Sequence, residues 1–216
     1  LTLPICTVKT IYQNNPTFNT IETIKHIYKQ NGYIGFFSAS TPAIIAQVIS
    51  TSSKYTFYQK IKEYRQTEKK DLINNSINGM VGGILGSILT HPIDCWKNFT
   101  QRNESYIKYL KSLKGPYIIR NGLYKGYMGS IGKNIALYSC LFPLNDFYKS
   151  KFDSTLISAP LTTITVSLIV QPFDYYKVVK MAGNKPDKPF RGLGLMIARS
   201  LPHFAITIYV TELLLK

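Results

Sequence analysis

A chain of 216 residues with 26 Lys and Arg against 11 Asp and Glu carries a net charge of +15 and a pI near 9.7. A charge of that size leaves two classes standing, a soluble nucleic-acid binder or a membrane protein with a basic rim. Its 16 Tyr and 11 Phe weigh for the second, because Tyr is enriched where a membrane meets water.

At the amino end stands Pro4-Ile5-Cys6-Thr7-Val8-Lys9, preceded by neither a basic amphipathic stretch nor an apolar core of a leader. With no Met at position 1, the chain is expected to begin inside a longer helix. Residues 20–29 predict a short charged helix ending near Asn31-Gly32, and residues 36–63 an apolar one. A charge-dense link covers 65–71. Residues 72–100 predict a helix containing Pro92 and four glycines, Gly79, Gly82, Gly83 and Gly86. An interior Gly costs about 1 kcal/mol, so the Gly79-xxx-Gly83 spacing predicts a close approach of two backbones. A second short surface helix is expected over 106–119, then spans over 124–149, interrupted by Lys133, and over 152–180, containing Pro172. Residues 181–189 form a turn-rich basic link, and 193–215 a last span. Five whole spans and a stump imply that a first helix is absent.

Residues 34–53, 72–90 and 154–173 hold no Asp, Glu, Lys, Arg or His. Each run approaches the roughly 20 residues that cross a hydrocarbon core as helix. Each is also rich in Ser, Thr, Asn or Gly, which accounts for a mean hydropathy of only −0.03. Helices lining an aqueous cavity tolerate such polar faces. The Lys and Arg residues sit largely in links between the runs and do not form one face, which excludes a nucleic-acid partner. Cys6, Cys95 and Cys140, like His26, His91 and His203, are dispersed, so neither a zinc site nor a disulfide framework is indicated. No nucleophile, base and orienter cluster argues for an enzyme, and no cofactor is expected.

One pattern recurs. Pro4 to Lys9, Pro92-Ile93-Asp94-Cys95-Trp96-Lys97 and Pro172-Phe173-Asp174-Tyr175-Tyr176-Lys177 stand 88 and 80 residues apart and mark a triplicated unit. Apolar stretches end on Tyr58-Gln59 with Lys62, Asn145-Asp146 with Lys149, and Thr211-Glu212 with Leu215 and Lys216. Gln59 and Asp146 lie 55 and 54 residues beyond their Pro, but Glu212 only 40, so the third unit is shorter. Three repeats follow, 1–66 with most of its first helix missing, 67–150, and 151–216 with a shortened loop. Proline inside a helix removes a hydrogen bond and bends it, so Pro92 and Pro172 should kink their helices. An Asp and a Lys three apart share a helical face. Three such helices converging can link each Asp to a neighbour's Lys and seal one end of a pore.

These residues resemble the mitochondrial carrier family. The family signature P-x-[D/E]-x-x-[K/R] is met by residues 92–97 and 172–177, and by 4–9 except that Cys6 replaces the acid. Gln13 and Gln101 stand four beyond their Lys, as in the extended signature. Residues 124–126 (YKG) and 190–192 (FRG) are similar to its aromatic-basic-Gly motif, degenerate in the first repeat to Phe37-Ser38-Ala39. Twenty residues separate Ala39, Gly126 and Gly192 from Gln59, Asp146 and Glu212. The resemblance implies an all-α membrane protein, a threefold pseudo-symmetric bundle of transmembrane helices with short matrix-side helices. It implies a matrix gate of Lys9, Asp94, Lys97, Asp174 and Lys177, pairing Asp94 with Lys177 and Asp174 with Lys9. Lys97 then faces Cys6, which weakens that gate. A cytoplasmic gate would comprise Gln59, Lys62, Asp146, Lys149 and Glu212.

Lys133 and Arg199 each stand thirteen residues before the acid position, with Ala46 as the first-repeat equivalent. A cation inside an uncharged span faces water or a partner, and two converging on a cavity make an anion site. The alternative is that both snorkel to the headgroups. Gln47, Asn134 and Ser200 are further lining candidates. Gly126 and Gly192 open helices whose amides and dipole attract phosphate, where the family binds cardiolipin. The expected function is alternating-access transport of a small anionic metabolite, such as a carboxylate, by a monomer in the lipid bilayer of the mitochondrial inner membrane or a mitochondrion-derived organelle. The other expectation is a degenerate carrier-like protein that binds without turnover.

Overall fold

The computed structural model describes residues 2–66, 71–152 and 155–202, and within them almost every segment is helical. The order is α1 (Leu3–Asn14), α2 (Thr20–Asn31), a 3-10 turn (Gly32–Phe37), α3 (Ser40–Tyr64), α4 (Leu72–Gln101), α5 (Tyr106–Ser112), a π turn (Ile118–Leu123), α6 (Tyr127–Phe152), α7 (Thr155–Ala182) and α8 (Leu193–Pro202). A short helix stands between two longer ones in α4, α5 and α6, of 30, 7 and 26 residues, whereas α1 and α2 have 12 residues each before the 25 of α3, and residues 183–190 between α7 and α8 form no helix.

Local chemistry accounts for the starts. Asn19 and Glu22 close a capping box on α2, the Asn19 amide donating to the Glu22 carboxylate at 2.7 Å. Asp71 caps α4 by accepting from the Asn74 amide at 3.0 Å. Ser105 caps α5. Gly32, Gly126 and Gly192 take φ of +60°, +79° and +86°, a region that costs other residues strain.

The sequence expectations shift at several boundaries. The expected helix over 36–63 is split by the 3-10 turn, and α3 begins at Ser40. The short helix expected over 106–119 ends at Ser112, where Leu113 turns to extended backbone. Residue Phe152 closes α6 and does not open the next span. Both Pro92 and Pro172 lie inside continuous helices.

Within the bundle, α3 packs on α4, α4 on α6, and α6 on α7, while α1 touches both α7 and α4. The glycine face is not the one the spacing suggested. Gly79 and Gly83 receive the ring of Tyr138, whereas Gly82 and Gly86 bring the α3 backbone close, a Cβ at Gly82 falling 2.9 Å from Tyr58 N. Two apolar clusters seat the short helices. Cys95, Phe99, Tyr106 and Met181 hold α5, and Val8, Ile11 and Ile27 hold α2. Burial raises the pKa of the Tyr106 phenol, whose hydroxyl donates to Gly122 O at 3.1 Å.

The long helices α3, α4, α6 and α7 have 25, 30, 26 and 28 residues. At about 1.5 Å per residue they measure about 38–45 Å, more than the roughly 30 Å hydrocarbon core. Length suffices, but average apolarity does not. Among the described residues no single helix is long and apolar enough to cross a membrane, and only the pair Thr20–Phe37 and Ser40–Tyr64, bent by 44°, passes jointly. The cause is how side chains are sorted. On α4, Ile73, Ile77, Val81, Leu85 and Leu89 recur every four residues on the exposed face, while Asn75, Asn78, Ser87, Thr90 and His91 are buried. On α7, Leu168, Ile169 and Phe173 face out and Thr162, Thr163, Ser167 and Gln171 face in. A core made by folding in water has the opposite sorting.

Candidate functional site

The repeated Pro-centred segments lie on α1, α4 and α7, which come together at one end of the bundle. There Lys9 donates to Asp174, and both side chains are under a tenth exposed. Lys133 of α6 reaches the other oxygen of the same carboxylate, with Nζ 2.5 Å from Asp174 Oδ1. Lys177 pairs with Asp94 at 2.6 Å. Lys97 forms no ion pair among the described residues, since Cys6 occupies the position an acid holds in the other two repeats. Beside this layer Thr10 donates to Gln101 at 2.8 Å, and Gln13 donates to Arg191 O at 3.0 Å.

A chamber of about 230 Å³ opens next to the ion pairs. Its lining includes six basic side chains, Lys9, Lys54, Lys97, Lys133, Lys177 and Arg199, and two carboxylates, Asp94 and Asp174. Most of the rest are hydroxyls and amides, among them Thr10, Ser50, Ser87, Thr90 and Asn98. Attraction between unlike charges is strong in such a partly dry space, so the chamber favours anions.

The residues expected to line it divide. Arg199 and Lys133 are both present, Lys133 already bound to Asp174. Asn134 is buried and donates to Gly83 O at 2.9 Å, which ties α6 to α4. Gln47 lines the chamber and donates to Thr51 of its own helix at 3.3 Å. Ser200 is not in the lining and donates to Met196 O at 2.9 Å. Lys54 is a cation that the repeat pattern did not single out. It follows immediately on the first uncharged run, and that adjacency is the signal that could have found it.

For the opposite gate, Gln59 donates to the Tyr55 hydroxyl at 2.7 Å and Lys62 lies 6.0 Å from the centre of the Tyr58 ring. Glu212 and the side chains of Asp146 and Lys149 lie outside the described residues. A second cavity, of about 410 Å³, lies where the ends of α1, α4 and α7 meet and is lined by Asn14, His26, Arg102 and Glu104 among others.

The glycines expected to bind lipid sit at tight crossings. A Cβ on Gly126 would fall 2.9 Å from Lys177 O, and one on Gly192 would fall 3.2 Å from the Gln13 side chain. Arg191 beside it is fully engaged. It donates to the carbonyls of Tyr12, Asn15, Pro16 and Phe18 at 2.6–3.1 Å and stacks 4.0 Å from the Tyr12 ring. This staples the third repeat to the end of α1. His91 Nε2 donates to Lys125 O at 3.0 Å, which leaves Nδ1 to accept from Ser130. In the link between α7 and α8, the Tyr175 hydroxyl donates to Asp187 and accepts from the Lys188 amide at 3.3 Å. That hydrogen bond holds the Asp187 carboxyl below its ordinary pKa.

Repeated helical units around a cation-lined polar chamber define a solute-carrier type of protein. Comparison with known sequences makes the class specific. The profile of the mitochondrial carrier protein family matches residues 1–69. A mitochondrial carrier-like protein of Acanthamoeba polyphaga mimivirus is 37% identical over 225 aligned positions, covering 100% of this chain and 90% of that one. A mitochondrial glycine transporter of Xenopus laevis is 32% identical over 111 positions, 48% of this chain and 37% of its own. A citrate/oxoglutarate carrier protein of Saccharomyces cerevisiae is 27% identical over 85 positions, 39% of this chain and 26% of its own. The chain belongs to the mitochondrial carrier family. Members of that family are transporters and not enzymes, and membership supports a place in the mitochondrial inner membrane.

Proposed function

We propose that this chain carries a small anionic metabolite, of which a carboxylate is the simplest case, across the mitochondrial inner membrane or that of a derived organelle. The supporting observation is the chamber in which six basic side chains meet two carboxylates. In this reading the chain crosses the bilayer several times as a monomer, its apolar stripes toward lipid and its polar faces toward the chamber. Asp94, Asp174, Lys9, Lys97 and Lys177 form the matrix gate, and Gln59, Lys62, Asp146, Lys149 and Glu212 the cytoplasmic one. Gly126 and Gly192 sit where cardiolipin phosphate would meet helix amides.

Geometry supplies a coupling between binding and opening. Lys133 is shared between the chamber and Asp174. An anion clamped by Arg199 and Lys133 competes with Asp174 for the same ammonium. The gate carboxylate then keeps only Lys9, and the closed layer loosens when substrate is present. Asn134 and Gln47 complete the ligand surroundings in this proposal, and Ser200, outside the chamber lining, drops out of them. The relatives' names include a citrate/oxoglutarate carrier and a glycine transporter. The chamber's positive charge favours the anion over the zwitterion.

A second reading, binding without turnover, draws on one observation, that Lys97 opposite Cys6 forms no ion pair among the described residues. Uptake of labelled carboxylates, phosphate and amino acids by cardiolipin-containing liposomes separates the two. Saturable uptake of an anion, reduced in Lys133→Ala and Arg199→Ala, supports transport. Absence of uptake of every solute by folded protein favours the second reading.

A further inference from the structure

The chamber holds more positive charge than its own carboxylates neutralise, and the excess is localised. Asp174 is taken by Lys9 and Lys133, and Asp94 by Lys177. Lys54, Lys97 and Arg199 line the same space with no ion pair or hydrogen bond among the described residues. Ammonium and guanidinium groups removed from bulk water are costly unless a counter-charge accompanies them.

Packing, not chance, puts Lys54 there. Helix α3 crosses α4 at Gly82 and Gly86, and a Cβ on Gly86 would lie 2.6 Å from Lys54 Cγ and 3.0 Å from its Cα. The bare glycine gives the Lys54 stem its passage along α4. Lys54 thus reaches the chamber from the first repeat, whereas Lys97 comes from the second and Arg199 from the third. The chamber is smaller than the roughly 300–1,000 Å³ typical of sites for drug-sized ligands, so its occupant is small.

We infer that the chamber selects a small anion bearing two or three negative charges, and that Lys54 is the specificity-determining contact that distinguishes it from a singly charged one. This rests on the reading of the chamber as the substrate site. The first charge of the ligand is held at Arg199, the second meets Lys54 and a third meets Lys97, so a monoanion leaves the Lys54 ammonium without a partner.

The test is thermal unfolding of the purified protein in detergent, titrated with acetate, succinate, propane-1,2,3-tricarboxylate and glycine. Stabilisation by succinate or the tricarboxylate should need at least tenfold less ligand than stabilisation by acetate or glycine. Lys54→Gln should weaken the di- and tricarboxylate at least tenfold and leave acetate unchanged, and Lys54→Arg should restore them. Lys54→Met keeps the stem against Gly86 and serves if Lys54→Gln does not fold. Lys60→Gln, an exposed lysine of the same helix, should change nothing. Equal affinity across the charge series, equal binding by wild type and Lys54→Gln, or no binding of any ligand overturns the inference. Liposome uptake of the same ligands is run in parallel. Charge-dependent binding without uptake would sink the transport reading and leave the selectivity of the chamber intact.

Discussion

Lys133 and Asp174 join α6 to α7 through a 2.5 Å contact on the same carboxylate that holds Lys9 of α1. One side chain thus carries three helices. Asp174→Asn leaves two ammonium groups without their counter-ion, and breaking a buried pair costs about 3–5 kcal/mol. A lowered melting temperature is expected, partly recovered when Lys133→Gln is added, because the two changes act on one contact.

The vacant acidic position can be filled. Cys6→Asp offers Lys97 the partner that the other repeats already have, and a charged hydrogen bond contributes about 1.5–3 kcal/mol. The variant should melt higher and exchange solute more slowly. Both effects should vanish in Cys6→Asp with Lys97→Gln.

Close helix contact makes Gly86 intolerant of even one methyl. Gly86→Ala inserts a Cβ 2.6 Å from Lys54 Cγ, and overpacking of this kind costs about 1–3 kcal/mol. Gly129→Ala, whose Cβ would meet Lys177 Cα at 2.8 Å, should be destabilising to a similar degree. Gly115→Ala has open space but a positive φ of 56°, so its cost should stay near that of backbone strain alone, about 1 kcal/mol. Thermal unfolding of the three variants ranks them.

How much of this could be read from residues alone differs by feature. Helix positions followed from the uncharged runs, since the absence of charge is a local property of the chain. The spacing of Gly79 and Gly83 marked a tight interface but not its partner. Tyr138 fills that face, and the backbone approach moves to Gly82 and Gly86. Lys54 escaped because a repeat argument looks for triplicates, and its equivalents five before Asp146 and Glu212 are Leu141 and Thr207. The Lys133 to Asp174 contact escaped for the same reason, as it joins positions with different roles in the repeat. The Cys6 substitution was visible at once because it interrupts a pattern.

Arg191 reads as a lysine-equivalent in the aromatic-basic-Gly motif, yet its four carbonyl partners need a planar fork. Arg191→Lys cannot reach them all, and about 1.5–3 kcal/mol should be lost with the charged hydrogen bonds. Faster amide exchange at the end of α1, with the rest of the bundle unchanged, is the expected signature.

The loop between α7 and α8 should respond to acid. The folded pKa of Asp187 is depressed by the Tyr175 hydroxyl. Its contribution is therefore full above the ordinary carboxylate value of about 3.9 and is lost as pH falls through the lower folded value. Protection of the 187 and 188 amides, corrected for intrinsic exchange, should hold at neutral pH and fall in strong acid. Tyr175→Phe should remove that protection at every pH.

The outward apolar and inward polar sorting of α4 and α7 also constrains how such a molecule can be made. A hairpin of α3 and α4 inserted by itself would turn Asn, Ser, Thr and Lys side chains toward lipid, with nothing there to satisfy them. Each helix pair becomes tolerable only when the others arrive. Biogenesis should therefore leave a late, all-or-nothing assembly step, during which half-built chains are exposed to the quality-control proteases of the membrane.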